Sequence, residues 1–112
     1  MSAEPPLEQF KAIAHPLRYR ILECLAGGEL NVGEIETAAD IGQPTLSQQL
    51  AVLRKAGLVD TRKEAKLVFY RIEPDLFADL MTALGQFVSP DALAALAASK
   101  PVPNAANFAR LK

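Results

Sequence analysis

Proline and glycine cut this chain into short pieces, and the cuts restrict its fold more than any other feature. His15-Pro16, Gly27-Gly28, Ile41-Gly42, Gly57, Glu73-Pro74 and Ser89-Pro90 each close or open an element. From Pro6, the apolar residues Leu7, Phe10, Ile13 and Ala14 keep helical spacing and predict a short first helix. Pro16 suits the first position of a second helix, with His15 as its cap, running through Leu17, Ile21, Leu22, Cys24 and Leu25. A third helix is expected over 32–39. A fourth is expected from Pro44 to Ala56, closed by Gly57. Residues 58–63 and 67–72 read as strands, joined by the brief polar link Glu64-Ala65-Lys66, which carries no Gly or Asn to mark the turn. A fifth helix starts at Pro74, with an apolar stripe of Leu76, Phe77, Leu80, Met81, Leu84, Phe87 and Val88. The Ala-rich run 91–98 is compatible with one more. Residues 1–5 and 99–112 read as flexible tails, leaving one domain over 6–98.

With 112 residues, 50% of them apolar and 22% charged, the chain can bury one modest core. No run approaches the roughly 20 apolar residues of a membrane span, and the first residues carry no basic-then-apolar signal. A cytoplasmic protein with no membrane partner is expected. Cys24 is the single cysteine and His15 the single histidine, which gives no internal disulfide and poor material for a metal cage. No nucleophile–base pair or glycine-rich phosphate loop is present, so neither an enzyme nor a cofactor is expected.

The net charge of −1 conceals an asymmetry. Residues 1–42 carry −4, residues 43–72 carry +4, and residues 73–112 carry −1. Local charge is what a phosphate backbone meets within a Debye length of about 10 Å. On a helical wheel of the fourth helix, Leu46, Leu50 and Leu53 share one side and must face the core. Pro44, Ser47, Gln48, Ala51 and Lys55 lie opposite, with Thr45 and Gln49 on the flanks. A face of amides and hydroxyls without bulky apolar groups suits a major groove, where glutamine can pair with adenine through two hydrogen bonds. Taken singly, these Gln and Ser residues could equally be an ordinary solvated surface. Two short helices, a tight turn and a basic hairpin together predict a winged helix-turn-helix: mainly α, with a two-stranded β-hairpin after the fourth helix and one long helix after that.

The run Gly42-Gln-Pro-Thr-Leu-Ser-Gln-Gln-Leu-Ala-Val-Leu-Arg-Lys-Ala-Gly-Leu-Val59, with Thr61-Arg-Lys-Glu-Ala-Lys66 and Phe69-Tyr-Arg-Ile72, resembles the ArsR/SmtB family of small repressors. Ala14-His-Pro-Leu-Arg-Tyr-Arg-Ile-Leu22 and Glu29-Leu-Asn-Val-Gly-Glu-Ile35 resemble the same family's second and third helices. The resemblance covers about residues 10–88. It implies a homodimer whose first and fifth helices pair across a two-fold axis, reading a palindromic operator in double-stranded DNA. It places Gln43, Thr45, Ser47, Gln48 and Gln49 against bases and adjoining phosphates, and Arg62, Lys63 and Lys66 on the wing. Arg54 and Lys55 are expected to be solvated or paired with a carboxylate. The partner face is expected at Leu7, Phe10, Ile13, Phe77, Leu80, Met81, Leu84 and Phe87, more large apolar residues than so small a domain can hide alone.

Family members often release DNA when a metal, metalloid or oxidant binds. Where one family site carries thiols, this chain has Asn31 and Gly33. Where another carries His and carboxylates, it has Asp75, Asp79, Thr82 and Gln86. The first pair does not ligate soft metals, and the second set, carboxylates without imidazole, is a poor site for zinc or nickel. Local similarity is greatest to the sulfide- and oxidant-responsive branch, whose cysteine pair is lacking: Cys24 lies about one position from the first cysteine, and the second falls near Val88. Cys24 is thus either a small buried hydrophobe or a redox group acting between subunits. A small-molecule inducer is left open. So are the alternatives of a protein-interaction module and of an activator that displaces another repressor.

Overall fold

The computed structural model describes residues 4–98, so most of both expected tails lies outside the described residues. Helix α1 spans Leu7–Ile13 and α2 spans Pro16–Ala26. His15 caps α2 as expected, its Nδ1 accepting the backbone N–H of Leu17 at 3.1 Å. Helix α3, Val32–Ala39, starts in a reciprocal capping box: the Asn31 side chain accepts the Glu34 N–H, and the Glu34 carboxylate accepts the Asn31 N–H, both at 2.9 Å. Asp40, in the left-handed region at φ 56°, ends it and turns the chain toward α4, Thr45–Lys55.

The end of α4 shows how the sequence stops a helix. Gly57 sits at φ 81°, its N–H donates to the Arg54 carbonyl, and the Leu58 N–H donates to the Leu53 carbonyl, both at 3.0 Å. This is a Schellman motif, and its hydrophobic contact is supplied by Leu53 and Leu58, both fully buried. Strands β2 (Val59–Glu64) and β3 (Leu67–Ile72) then pair antiparallel, from Val59 opposite Ile72 to Glu64 opposite Leu67. A two-residue hairpin turn needs positive φ. With no Gly or Asn available, Ala65 takes it at φ 57°.

One feature corrects the expected fold, and another settles what the sequence left open. Residues 30–31 form a short strand, β1 (Leu30–Asn31), that pairs antiparallel with β3, giving a three-stranded sheet in the order β1-β3-β2 rather than a bare hairpin. After α5 (Pro74–Gly85), the Ala-rich run is a sixth helix, α6 (Pro90–Ala98). Helix α5 also stops short of Val88: turns donated by Phe87 and Val88 to Leu84 and Gly85 close it.

The core lies between α2, α3, α4 and the start of β2. Ile21, Ile35, Leu46, Leu50, Leu53 and Leu58 are fully buried. Burial of such side chains stabilises by about 1.5–3 kcal/mol each. Leu46, Leu50 and Leu53 anchor α4 by one stripe, which holds its opposite side away from the protein.

Candidate nucleic-acid interface

Anchoring that stripe leaves Gln43, Pro44, Ser47, Gln48 and Ala51 exposed, with Thr45 and Gln49 half-buried on the flanks. The Ser47 hydroxyl donates to the Gln43 side-chain oxygen, so these two groups organise one another at the start of α4. Gln48 points out with its amide unengaged among the described residues. Gln49 is different: its amide oxygen accepts from Arg18 of α2 at 2.8 Å.

Arg62 departs most from its expected place as a free wing cation. Its Nε and Nη2 meet the two carboxylate oxygens of Glu29 at 2.8 Å each, and its Nη1 meets Glu64 at 2.7 Å. The guanidinium also lies over the Phe69 ring, 4.7 Å from its centre. The hydrogen bond from Arg62 holds the Glu29 carboxyl below the usual glutamate range, and the two carboxylates push the guanidinium up. Arg62 therefore fastens the hairpin to the turn before β1. Asp60 is held below the usual range by the Thr61 N–H and by Arg71, which it meets at 3.3 Å. Among the described residues, Arg54, Lys55, Lys63 and Lys66 enter no ion pair and are exposed. Arg54 and Lys55 also border a cleft of about 440 Å³ between α4 and the sheet, with Ser47, Ala51, Val32 and Tyr70 on its walls. Sequence reasoning missed that cleft and the Glu29 clamp, because both join residues far apart in the chain.

The expected partner face divides. Leu7, Met81, Leu84 and Phe87 are exposed, Phe87 by 78%. Phe10, Ile13 and Phe77 are half-buried against the subunit's own core. Leu80, only 3% exposed, belongs to that core and is corrected from partner face to core: α5 packs this residue inward and keeps Met81 and Leu84 outside. Cys24 is half-buried and packs on the core. Asn31 is occupied in the capping box. Among the described residues no group of three or more His, Cys, Asp or Glu gathers to hold a metal, and no helix is long and apolar enough to cross a membrane.

A short helix, a tight turn, a helix with its polar side held outward and a basic hairpin beside it define a winged helix-turn-helix domain. Residues 15–61 match the sequence model of the bacterial regulatory protein, arsR family. The biofilm growth-associated repressor of Agrobacterium fabrum is 58% identical over 74 residues, 66% of this chain and 63% of that protein. An uncharacterized HTH-type transcriptional regulator of Mycobacterium tuberculosis, Rv0081, is 41% identical over 87 residues, 72% of this chain and 75% of that protein. The crystal structure of the transcriptional repressor BigR from Xylella fastidiosa superposes with a TM-score of 0.61 at 43% identity, over 74% of this chain and 85% of that one. The chain belongs to the arsR family. It spans just under two thirds of the length of the Agrobacterium relative.

Proposed function

We propose that this chain is a cytoplasmic transcriptional regulator, not an enzyme, that binds a palindromic operator in double-stranded DNA as a homodimer and represses the adjoining gene. The carrying observation is the outward side of α4. Gln43, Thr45, Ser47 and Gln48 present hydroxyls and amides where a major groove can receive them, and Lys63 and Lys66 stand ready on the hairpin for phosphates. The apolar residues left exposed on α1 and α5 (Leu7, Met81, Leu84 and Phe87) support the homodimer. The names of the relatives support regulation of transcription, and repression in particular. A small-molecule inducer remains compatible with this reading.

Selection from a pool of random-sequence duplexes tests it. The expected product is an inverted repeat whose half-sites lie about one helical turn, roughly 34 Å, apart. Binding to it should weaken steeply as salt rises. Enrichment of no sequence would remove the DNA-binding reading.

A further inference from the structure

Helix α1 and helix α4 are joined by polar contacts that the core does not require. Helix α1 ends just before Pro16, and the residue four places before that proline is Ala12. A proline has no N–H, so the Ala12 carbonyl loses the donor that a continuing helix would have supplied. Arg18 supplies one instead: its Nε donates to the Ala12 carbonyl at 2.6 Å. The same guanidinium donates through Nη1 to the Gln49 side-chain oxygen on α4 at 2.8 Å. A second link runs beside it, from the Gln9 side-chain nitrogen to the Ala56 carbonyl just past the end of α4, at 3.2 Å. Arg18 is half-buried and, among the described residues, meets no carboxylate. Two of its five N–H donors engage a helix end and one amide of the outward-facing helix.

We propose that Arg18 is a positioning residue of the DNA-reading surface, tying the last turn of α1 to Gln49 and so fixing both the setting of α4 and the orientation of the Gln49 amide. The inference rests on the proposed DNA binding and goes beyond it. An arginine can only donate, so the Gln49 oxygen is turned toward it and the NH2 group is left for other partners. One lone pair of the Gln49 oxygen is then committed to Arg18, which restricts the orientation in which the amide can meet a base edge. Because α1 also carries the exposed Leu7 of the expected partner face, the brace gives the dimer surface and the reading surface one common reference.

The test uses the full chain and the duplex that it selects from a random pool, with a scrambled duplex as control. Affinities are read by fluorescence anisotropy, and folding and assembly by thermal melting and sedimentation. Arg18→Met is expected to lower affinity for the selected duplex about tenfold or more. Affinity for the scrambled duplex and the salt slope should change little. Arg18→Lys, which can reach one of the two oxygens, should recover part of the loss. The double variant Arg18→Met/Gln49→Met should be no worse than the poorer single variant, because both break one link. Equal losses on both duplexes, with a salt slope smaller by about 0.9, would make Arg18 a phosphate contact and overturn the proposal. Additive losses in the double variant would overturn it as well. If Arg18→Met fails to fold, Arg18→Lys carries the test, since it keeps the charge and leaves Gln49 in place: reduced preference for the selected duplex at an unchanged salt slope supports the brace, and unchanged preference overturns it. If the wild-type chain selects no duplex, the functional reading fails first and the brace falls with it.

Discussion

Arg62 is the wing residue whose sequence position most invites a phosphate contact, and the structure gives a reason to expect none. Its guanidinium already faces three carboxylate oxygens at 2.7–2.8 Å, and the cluster of Arg62, Glu29 and Glu64 carries a net charge of −1. Removing Arg62 alone would expose two carboxylates near the DNA and confuse repulsion with a lost contact. The informative change is therefore the charge-conserving pair Arg62→Met with Glu29→Gln, set against Lys66→Met at the hairpin turn. Each neutralised phosphate adds about −0.9 to the slope of log affinity against log salt. Between 50 and 200 mM salt, one contact therefore accounts for about a 3.5-fold change in affinity. Lys66→Met should shrink the slope by about 0.9, whereas the paired change should leave it within about 0.3 of the wild type. Hydrogen exchange in β2 and β3 should rise in the paired variant, because the hairpin has lost its fastening to the turn before β1. Anisotropy titrations of the selected duplex at four or five salt concentrations supply the slopes. A slope reduced as much by the paired change as by Lys66→Met would refute the clamp and return Arg62 to the phosphate contacts.

Three further outcomes are expected. Gln48→Ala should cost about 1–3 kcal/mol on the selected duplex, roughly 5- to 150-fold, with little loss on a scrambled one; equal loss on both would remove Gln48 from the base contacts. On the proposed homodimer reading, Leu84→Asp should shift the protein from dimer to monomer in sedimentation, since it places a charge on the exposed apolar side of α5; an unchanged dimer would move the partner face elsewhere. The clamp should also depend on pH with a definite sign. The folded-state value of the Glu29 carboxyl is depressed by Arg62, so its contribution is complete above the ordinary glutamate value of about 4.3 and fades as pH falls through the lower folded-state value. The Arg62 Nε–H resonance should hold its position from pH 8 to 5 and move only below about 4.3; movement between pH 7 and 5.5 would assign the shift to another group.

The helices and hairpin were legible because their ends are written locally. Pro16 and His15 start α2, Asn31 and Glu34 start α3, and Gly57 stops α4, each acting on neighbours within a few residues. Strand β1 was not legible. Two residues have no periodicity to read, and Leu30–Asn31 become a strand only because Tyr70 and Phe69 lie opposite them. The same limit hid the polar contacts that orient the site. Arg62 finds Glu29 across 33 residues of chain and Arg18 finds Gln49 across 31, pairings that no local pattern announces. Leu80 was misplaced for a related reason. The α5 stripe shows which residues are apolar, but whether its own core or a second subunit covers each one depends on how α5 sits on α2–α4.

The distribution of paired and unpaired charge also bears on how such a surface discriminates. Residues 43–72 hold four arginines and lysines that enter no ion pair among the described residues and two arginines that do. Of the four, Lys55, Lys63 and Lys66 carry compact charges on flexible stems, which attract phosphates without fixing a geometry. Arg62, whose planar fork could have gripped a phosphate through two hydrogen bonds, grips Glu29 instead. On the proposed reading, the wing supplies attraction, and discrimination between sequences falls to the short face from Gln43 to Gln49. That face is only as selective as its orientation is fixed, because a helix free to rock by a few degrees can bring its amides to more than one base step. The setting of α4 then matters as much as the identity of its outward residues: the Leu46, Leu50 and Leu53 anchor holds it from beneath, and the Arg18 link holds it from the side.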